Sequence, residues 1–178
     1  NGYSTSWFGK DHNTPAFAAS QAGPFDQWPI GMGFEYFYGF VGGDANQWQP
    51  NLFQNTTQIY PFDGKPDWNL ITGMADEAIN WITRIHQTDP SKPIFIKYAP
   101  GASHAPHHPT KEWVDKIHAM HLFDDGYNAL RERIFANQKE LGVIAQNAQL
   151  TPWPNEVLKP WDQLDAETKK LFIRQVEV

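Results

Sequence analysis

The sequence predicts an α/β protein in which a mixed β-sheet is flanked by helices and carries a loop-rich aromatic excursion. An amphipathic pattern over residues 71–85 indicates a helix, and the apolar run 93–99 that follows it is typical of a buried strand. A helix joined by a short connection to a buried strand is characteristic of α/β folds. The 13 glycines and 14 prolines interrupt regular structure too often for a helical bundle.

The chain opens with a predicted strand and a polar turn. Residues 1–10 are rich in strand-forming side chains, and Gly9 marks the exit from the strand. Residues 10–13 are then expected on a turn that Pro15 closes. On such a turn Lys10 and His12 are, by their spacing alone, more often solvated surface than a functional site.

Residues 16–66 show no helical period and are crowded with aromatic rings. Two interpretations of the ring-rich part, residues 25–48, stay open: a platform that grips a sugar or aromatic ligand, or rings that pack on the core. We favour packing on the core. Residues 51–55 and 57–60 are predicted to form the two strands of a hairpin.

The best-defined helix comes next, with Asn69 as a suitable N-cap. Its inward face is predicted to consist of Ile71, Met74, Ala75, Ala78, Ile79, Ile82 and Ile85. The strand 93–99 then delivers a loop with three histidines, His104, His107 and His108. Open α/β sheets carry their chemistry at the carboxyl ends of their strands, so this loop is a candidate site.

Three further helices are predicted after the histidine loop. One begins after Thr110, one spans residues 127–141 and is closed by Gly142, and the last begins at Asp165 and runs to the final residue. The inward side chains of the middle helix are predicted to be Leu130, Ile134 and Leu141. No internal repeat or low-complexity tract divides the chain, so we expect residues 1–178 to belong to one domain.

Composition excludes several classes of function. The formal charge is −6 with a pI of about 5.6, and the 14 Lys and Arg are dispersed, so no basic face is available for nucleic acid or an anionic membrane surface. The chain has no cysteine, which excludes disulfides and thiolate chemistry. No apolar run is long enough for a membrane span.

The candidate site combines one lysine with histidines from two strands. If Lys10 and His12 leave one strand and His104 leaves a neighbouring one, a cation and two imidazoles converge on an anion. Such a cluster suits hydrolysis of a sulfate or phosphate ester. A zinc site on His104, His107 and His108 is the alternative, but the proline-containing loop is poorly suited to aiming three imidazoles at one ion. We therefore expect His107 and His108 to be exposed bystanders.

Four motifs together resemble the arylsulfatase branch of the type I sulfatases. They are YSTSWFGKDHNTP at residues 3–15, GFEYFYGF at 33–40, DANQWQP at 44–50 and YAPGASHAPHHP at 98–109. The resemblance implies an alkaline-phosphatase-like fold, a formylglycine nucleophile made from a C/S-x-P-x-R motif, and a calcium or magnesium ion. It also implies that Lys10 and His104 bind the sulfate group, that His104 protonates the leaving oxygen, and that His12 contacts the formylglycine and acts as a base.

The chain departs from that pattern in what it lacks. Ser91 begins the one Ser-x-Pro sequence, but no Arg completes the motif, and the acidic metal ligands have no counterpart here. Asp11 occupies the position where Trp is frequent, and its side chain is expected to point away from Lys10 and His12. We therefore interpret residues 1–178 as an internal portion of a single sulfatase catalytic domain, with the formylglycine and the metal ligands outside this chain.

The expected function is hydrolysis of small-molecule sulfate esters by the longer protein, and the chain alone is predicted to be inactive. Two alternatives stay open. One is a phosphonate or phosphodiester hydrolase of the same superfamily. The other is a non-catalytic relative that binds a ligand through its aromatic segment.

Overall fold

A computed structural model describes residues 2–178. The described residues form two compact units, one up to His108 and the other from Pro109 onward. The first unit contains a five-stranded mixed sheet and one long helix, which confirms the predicted fold class. Asn1, which the sequence prediction placed in the first strand, lies outside the described residues.

The sheet has strand order β4-β3-β2-β1-β5. Its strands are β1 (Ser4–Asp11), β2 (Tyr36–Val41), β3 (Leu52–Gln54), β4 (Thr57–Ile59) and β5 (Ile94–Ala99). Strand β1 lies between β2 and β5 and runs parallel to both, whereas β3 and β4 form an antiparallel hairpin. The predicted hairpin and the predicted strands at residues 1–10 and 93–99 are confirmed.

Strand β2 corrects the sequence interpretation of residues 16–66. Residues 36–41 are the second strand of the sheet, although no strand was predicted there. Their apolar run, interrupted only by Gly39, is typical of an interior strand that is covered on both faces. Phe37 packs on one face of the sheet, while Tyr38 and Phe40 pack on the other. The packing interpretation of these rings is therefore confirmed.

Two apolar cores cover the two faces of the sheet. Helix α1 (Leu70–Thr88) packs on one face, where the buried residues are Phe8, Tyr38, Phe40, Leu52, Leu70, Met74, Ala78 and Trp81. The other face is covered by an aromatic cluster of Trp7, Trp28, Phe37 and Phe53. The alternation of neighbouring residues between the two cores follows from the two-residue period of a strand.

Helix α1 begins as predicted, but its inward face is rotated. Asn69 is the N-cap, and its side-chain oxygen accepts a hydrogen bond from the Ile71 backbone N–H at 3.1 Å. Ile79 and Ile82 were predicted to face inward, yet they are 59% and 37% exposed, and Trp81 is buried instead. The larger ring fills the space beside Phe8 and displaces the isoleucine stripe outward.

Strand β5 was predicted to be buried, and this prediction is wrong. Phe95 is 53% exposed and Tyr98 is 44% exposed. The physical reason is its place at the edge of the sheet, where it pairs with β1 alone. The approach of the two strands depends on Gly9, which has a φ of +101° and whose added Cβ would lie 2.1 Å from the Ala99 carbonyl oxygen.

The second unit is helical. It contains α2 (Lys111–His118), α3 (Gly126–Glu140) and α4 (Ala166–Val176), and a largely irregular segment joins α3 to α4. Ile134 and Leu141 were predicted to face inward but are 47% and 76% exposed. Helix α4 was predicted to begin at Asp165, and this residue is its N-cap: the side chain accepts a hydrogen bond from the Thr168 N–H at 2.8 Å. The helix ends at Val176 and does not reach the final residue as predicted.

Candidate anion-binding site

The carboxyl ends of β1 and β5 lie side by side, at the end of the sheet where both strands finish. The strands are parallel, and Gly9 lies in register with Ala99. Lys10 therefore lies one residue beyond this pair on β1, and His12 directly follows the end of the strand. His104 lies in the loop that follows β5. Parallel neighbours deliver their following loops to the same edge, so the topology brings Lys10, His12 and His104 to one end of the sheet.

Lys10 belongs to the strand and not to the predicted turn. Strand β1 continues through Asp11, and Lys10 is half-buried in register with Phe40 of β2. Its carbonyl oxygen accepts a hydrogen bond from the Trp7 indole N–H at 3.0 Å. The backbone of Lys10 is therefore fixed by the sheet and by a buried ring, which limits where its ammonium group can reach.

Asp11 anchors the turn that carries His12. The carboxylate is fully buried, and one oxygen accepts from the Asn13 N–H at 2.9 Å while the other accepts from the Thr14 hydroxyl at 2.7 Å. Both bonds close a tight turn directly around His12. Sequence reasoning assigned no role to Asp11 or Thr14, although an aspartate two or three residues before a backbone or hydroxyl donor is a recognisable turn signal.

The His12 imidazole is exposed and lies against the backbone of Gly43, in the segment after β2. A Cβ added to Gly43 would lie 3.0 Å from the ring Cε1, 3.1 Å from Nε2 and 3.6 Å from Nδ1. The ring therefore rests on a surface that only a glycine leaves open. The sequence signal was a Gly-Gly pair directly after an aromatic run, and it was not interpreted as part of the site.

His104 has one ring nitrogen engaged within its own loop. Nδ1 lies 2.7 Å from the Ala105 carbonyl oxygen, and the His104 backbone N–H donates to the Gly101 carbonyl at 3.0 Å. A carbonyl oxygen can only accept, so Nδ1 carries the proton in this arrangement. The ring is exposed, and Nε2 is the nitrogen that this contact leaves available to a ligand.

The other two loop histidines differ from each other. His107 is exposed, as predicted. His108 was also predicted to be exposed, and this is wrong: it is half-buried, and its Nδ1 accepts from the Gln47 backbone N–H at 3.5 Å. The Asn69 side-chain amide also donates to the His108 carbonyl at 3.4 Å. The segment around Gln47 passes the end of the histidine loop, and the hydrogen bond from its backbone holds His108 inward.

The described residues contain no group of three or more His, Cys, Asp or Glu side chains that could hold a metal ion. They also contain no helix with both the length and the apolar character needed to cross a membrane.

Comparison with known proteins agrees with the resemblance in the motifs. The sulfatase family model matches residues 1–138. An uncharacterized sulfatase from Schizosaccharomyces pombe is 25% identical over 168 aligned residues, which cover 86% of this chain. The chain spans only 29% of the length of that relative. Because the family model matches well over half of the residues, the chain belongs to the sulfatase family.

Proposed function

We propose that the longer protein of which this chain forms part hydrolyses sulfate esters, with aryl sulfates as substrates. The observation that carries the proposal is the placement of Lys10, His12 and His104 at one edge of the sheet, in a chain of the sulfatase family. In the net reaction, water and a sulfate ester yield an alcohol or phenol and hydrogen sulfate. The bond that breaks joins sulfur to the ester oxygen.

Lys10 binds the sulfate group in this proposal. Its ammonium is a compact point charge that neutralises the non-bridging oxygens, on which negative charge is concentrated. The half-buried position at the end of β1 supports this role, because a partly desolvated cation interacts more strongly with an anion than a fully solvated one does.

His104 binds the sulfate group beside the leaving oxygen and acts as the general acid. Since Nδ1–H is held by the Ala105 carbonyl, Nε2 is the atom that donates a proton to the ester oxygen as the sulfur–oxygen bond breaks. The proton neutralises the leaving alkoxide or phenoxide. His12 then takes up a proton as general base when sulfate is released.

The resemblance also implies a formylglycine nucleophile and a calcium or magnesium ion. Neither group fits the described residues, which offer no metal cluster, and the sequence has no cysteine and no complete C/S-x-P-x-R motif. Our proposal assigns both groups to other parts of the longer protein. The formylglycine would supply the attacking oxygen, and the metal ion would add positive charge to that of Lys10.

The test is an assay of the longer protein against 4-nitrophenyl sulfate, 4-nitrophenyl phosphate, bis(4-nitrophenyl) phosphate and phenyl phosphonate esters. We expect sulfate ester turnover that falls strongly in Lys10→Ala and His104→Ala. A preference for phosphodiesters or phosphonates would favour the second hydrolase class, and no turnover of any ester would refute the proposed activity. The 178-residue chain should be inactive even with calcium. Turnover by that chain, abolished by His104→Ala, would refute the assignment of the nucleophile elsewhere.

A ligand-binding relative without activity is less well supported by the packing. The rings that were candidates for a ligand platform, Trp28, Phe37, Tyr38 and Phe40, are buried in the two cores. A ring that fills a core has little surface left for a ligand.

A further inference from the structure

The segment that follows β2 contacts both of the loops that carry candidate histidines. Residues 42–47, with the sequence GGDANQ, form the first part of the segment between β2 and β3, and we call them the β2–β3 connection. At its start, the Gly42 N–H donates to the Asp11 carbonyl at 2.8 Å, which ties the connection to the end of β1. At its end, the Gln47 carbonyl accepts from the Leu70 N–H at 2.7 Å, which ties it to the first turn of α1. Both ends of the connection are therefore fixed to regular structure.

Gly43 forms the surface on which the His12 ring lies. Its backbone has no positive φ, so glycine is not required there by conformation. What alanine would change is space: its methyl carbon would stand 3.0 to 3.6 Å from three atoms of the imidazole, closer than ordinary van der Waals contact for two of them. The ring would have to move by a few tenths of an ångström.

Gln47 lies beside both ends of the histidine loop. Its side-chain Nε2 is 3.3 Å from the point where a Cβ on Gly101 would stand, at the start of the loop. Its backbone N–H donates to His108 Nδ1 at the other end of the loop. His104 lies between these two attachment points. The connection therefore sets the position of the loop from both sides.

The burial of Gln47 argues for a role beyond stability. Its side chain is 3% exposed, and its Nε2 donates to the Ala45 carbonyl at 3.0 Å. Its Oε1 is buried without a hydrogen-bond partner among the described residues. A buried oxygen without a partner is destabilising, so an apolar side chain of similar size would serve stability better.

We propose that the β2–β3 connection is a positioning element for the site: Gly43 sets the place of the His12 imidazole, and Gln47 with His108 sets the loop that carries His104. The proposal rests on the function proposed above for His12 and His104. It adds three residues, Gly43, Gln47 and His108, that act on the reaction through the histidines and not by touching the substrate. Effects of this kind are large, because a displacement of about 1 Å in a reacting group can lower a rate about 100-fold.

The first test is Gly43→Ala in the longer protein. Since the expected displacement is a few tenths of an ångström, we expect kcat for 4-nitrophenyl sulfate to fall about tenfold with little change in KM. Gly64→Ala is the matched control. Its added methyl group meets nothing within 4 Å, but its φ of +70° makes alanine costly, so it lowers stability without reaching the site. Equal kcat values for the two variants would overturn the proposal.

The second test does not depend on activity. Imidazole ¹H–¹⁵N resonances of the 178-residue chain are compared in the wild type, Gly43→Ala, His108→Asn and His108→Leu. We expect Gly43→Ala to shift the His12 resonances, and His108→Leu to shift those of His104. His108→Asn should leave His104 near its wild-type position, because the asparagine oxygen can accept the Gln47 N–H in place of Nδ1.

The two tests separate the two proposals. If the longer protein hydrolyses no sulfate ester but the resonances shift as expected, the proposed function fails and the positioning role stands. If Gly43→Ala leaves the His12 resonances unchanged, or His108→Leu leaves those of His104 unchanged, the positioning role is refuted whatever the activity.

Discussion

Replacement of Asp11 by alanine should both destabilise the first unit and release the turn that carries His12. The carboxylate is fully buried and accepts two hydrogen bonds, from the Asn13 N–H at 2.9 Å and the Thr14 hydroxyl at 2.7 Å. Alanine removes both acceptors at once. The turn then loses the two bonds that close it around His12.

The magnitude follows from these two bonds. Each hydrogen bond to a charged group contributes about 1.5 to 3 kcal/mol, and part of this is offset because a buried carboxylate no longer has to be desolvated. We expect Asp11→Ala to lower the free energy of unfolding by about 2 to 3 kcal/mol. Asp11→Asn retains an acceptor oxygen for one of the two donors, so its loss should be about half as large.

Urea unfolding of the chain, followed by tryptophan fluorescence, measures this difference. With a slope of about 2 kcal/mol per molar urea, the expected loss for Asp11→Ala is a decrease of roughly 1 to 1.5 M in the midpoint. Asp63→Ala, at an exposed aspartate, is the matched control and should leave the midpoint unchanged. If Asp11→Ala unfolds at the same urea concentration as Asp63→Ala, the assignment of Asp11 as the anchor of the turn is wrong.

Three further predictions concern the sheet and α1. Burial and, to a smaller extent, the hydrogen bond to Glu77 raise the pKa of Tyr36 from 10.0 to about 12. The stability that this group contributes is therefore present below pH 10 and is lost as the pH rises through 12. An ultraviolet titration of phenolate absorbance should show this late step, and Glu77→Gln should move it to lower pH. Asn69→Ala should lower the free energy of unfolding by about 1 kcal/mol through loss of the N-cap, whereas Asn69→Asp retains the cap oxygen and should cost less in a thermal melt. Asn55 lies in the turn of the β3–β4 hairpin with a φ of +54°, and its side-chain oxygen accepts a hydrogen bond from the Phe37 N–H of β2. Asn55→Ala should lower the free energy of unfolding by about 2 kcal/mol and Asn55→Gly by about 1 kcal/mol in the same melts. Equal losses would contradict the conformational part of this reasoning.

The elements that the sequence predicted well are those with local signals. Helix α1 has an N-cap at Asn69 and a clear helical period, and the β3–β4 hairpin is marked by strand-forming residues on both sides of a turn. These signals depend on residues a few positions apart, so they survive without knowledge of the tertiary structure. The placement of Lys10, His12 and His104 at one edge of the sheet required only that the two strands be parallel neighbours, which they are.

The misses depend on contacts between distant residues. Tertiary packing decides the edge position of β5, the inward orientation of His108 beside Gln47, and the burial of Trp81 in place of Ile79. Strand β2 was missed because aromatic residues between glycines fit a loop as well as a strand covered on both faces. The role of Gly43 was beyond sequence reasoning, because it depends on a ring 31 residues earlier in the chain.

The position of β1 between two strands that come later in the chain affects how the chain folds. Ser6 pairs with Tyr36, 30 residues later, and Ser4 pairs with Ile94, 90 residues later. At a synthesis rate of about 5 to 20 residues per second, roughly 5 to 20 s separate the appearance of β1 from that of its second partner. Both edges of the strand bearing Trp7 and Phe8 are open until β2 appears, and the edge that pairs with β5 stays open for the rest of this interval. Pairing over such long separations is also slow in itself. The strand that organises the folded sheet is therefore the one most exposed to wrong partners while the protein is being made.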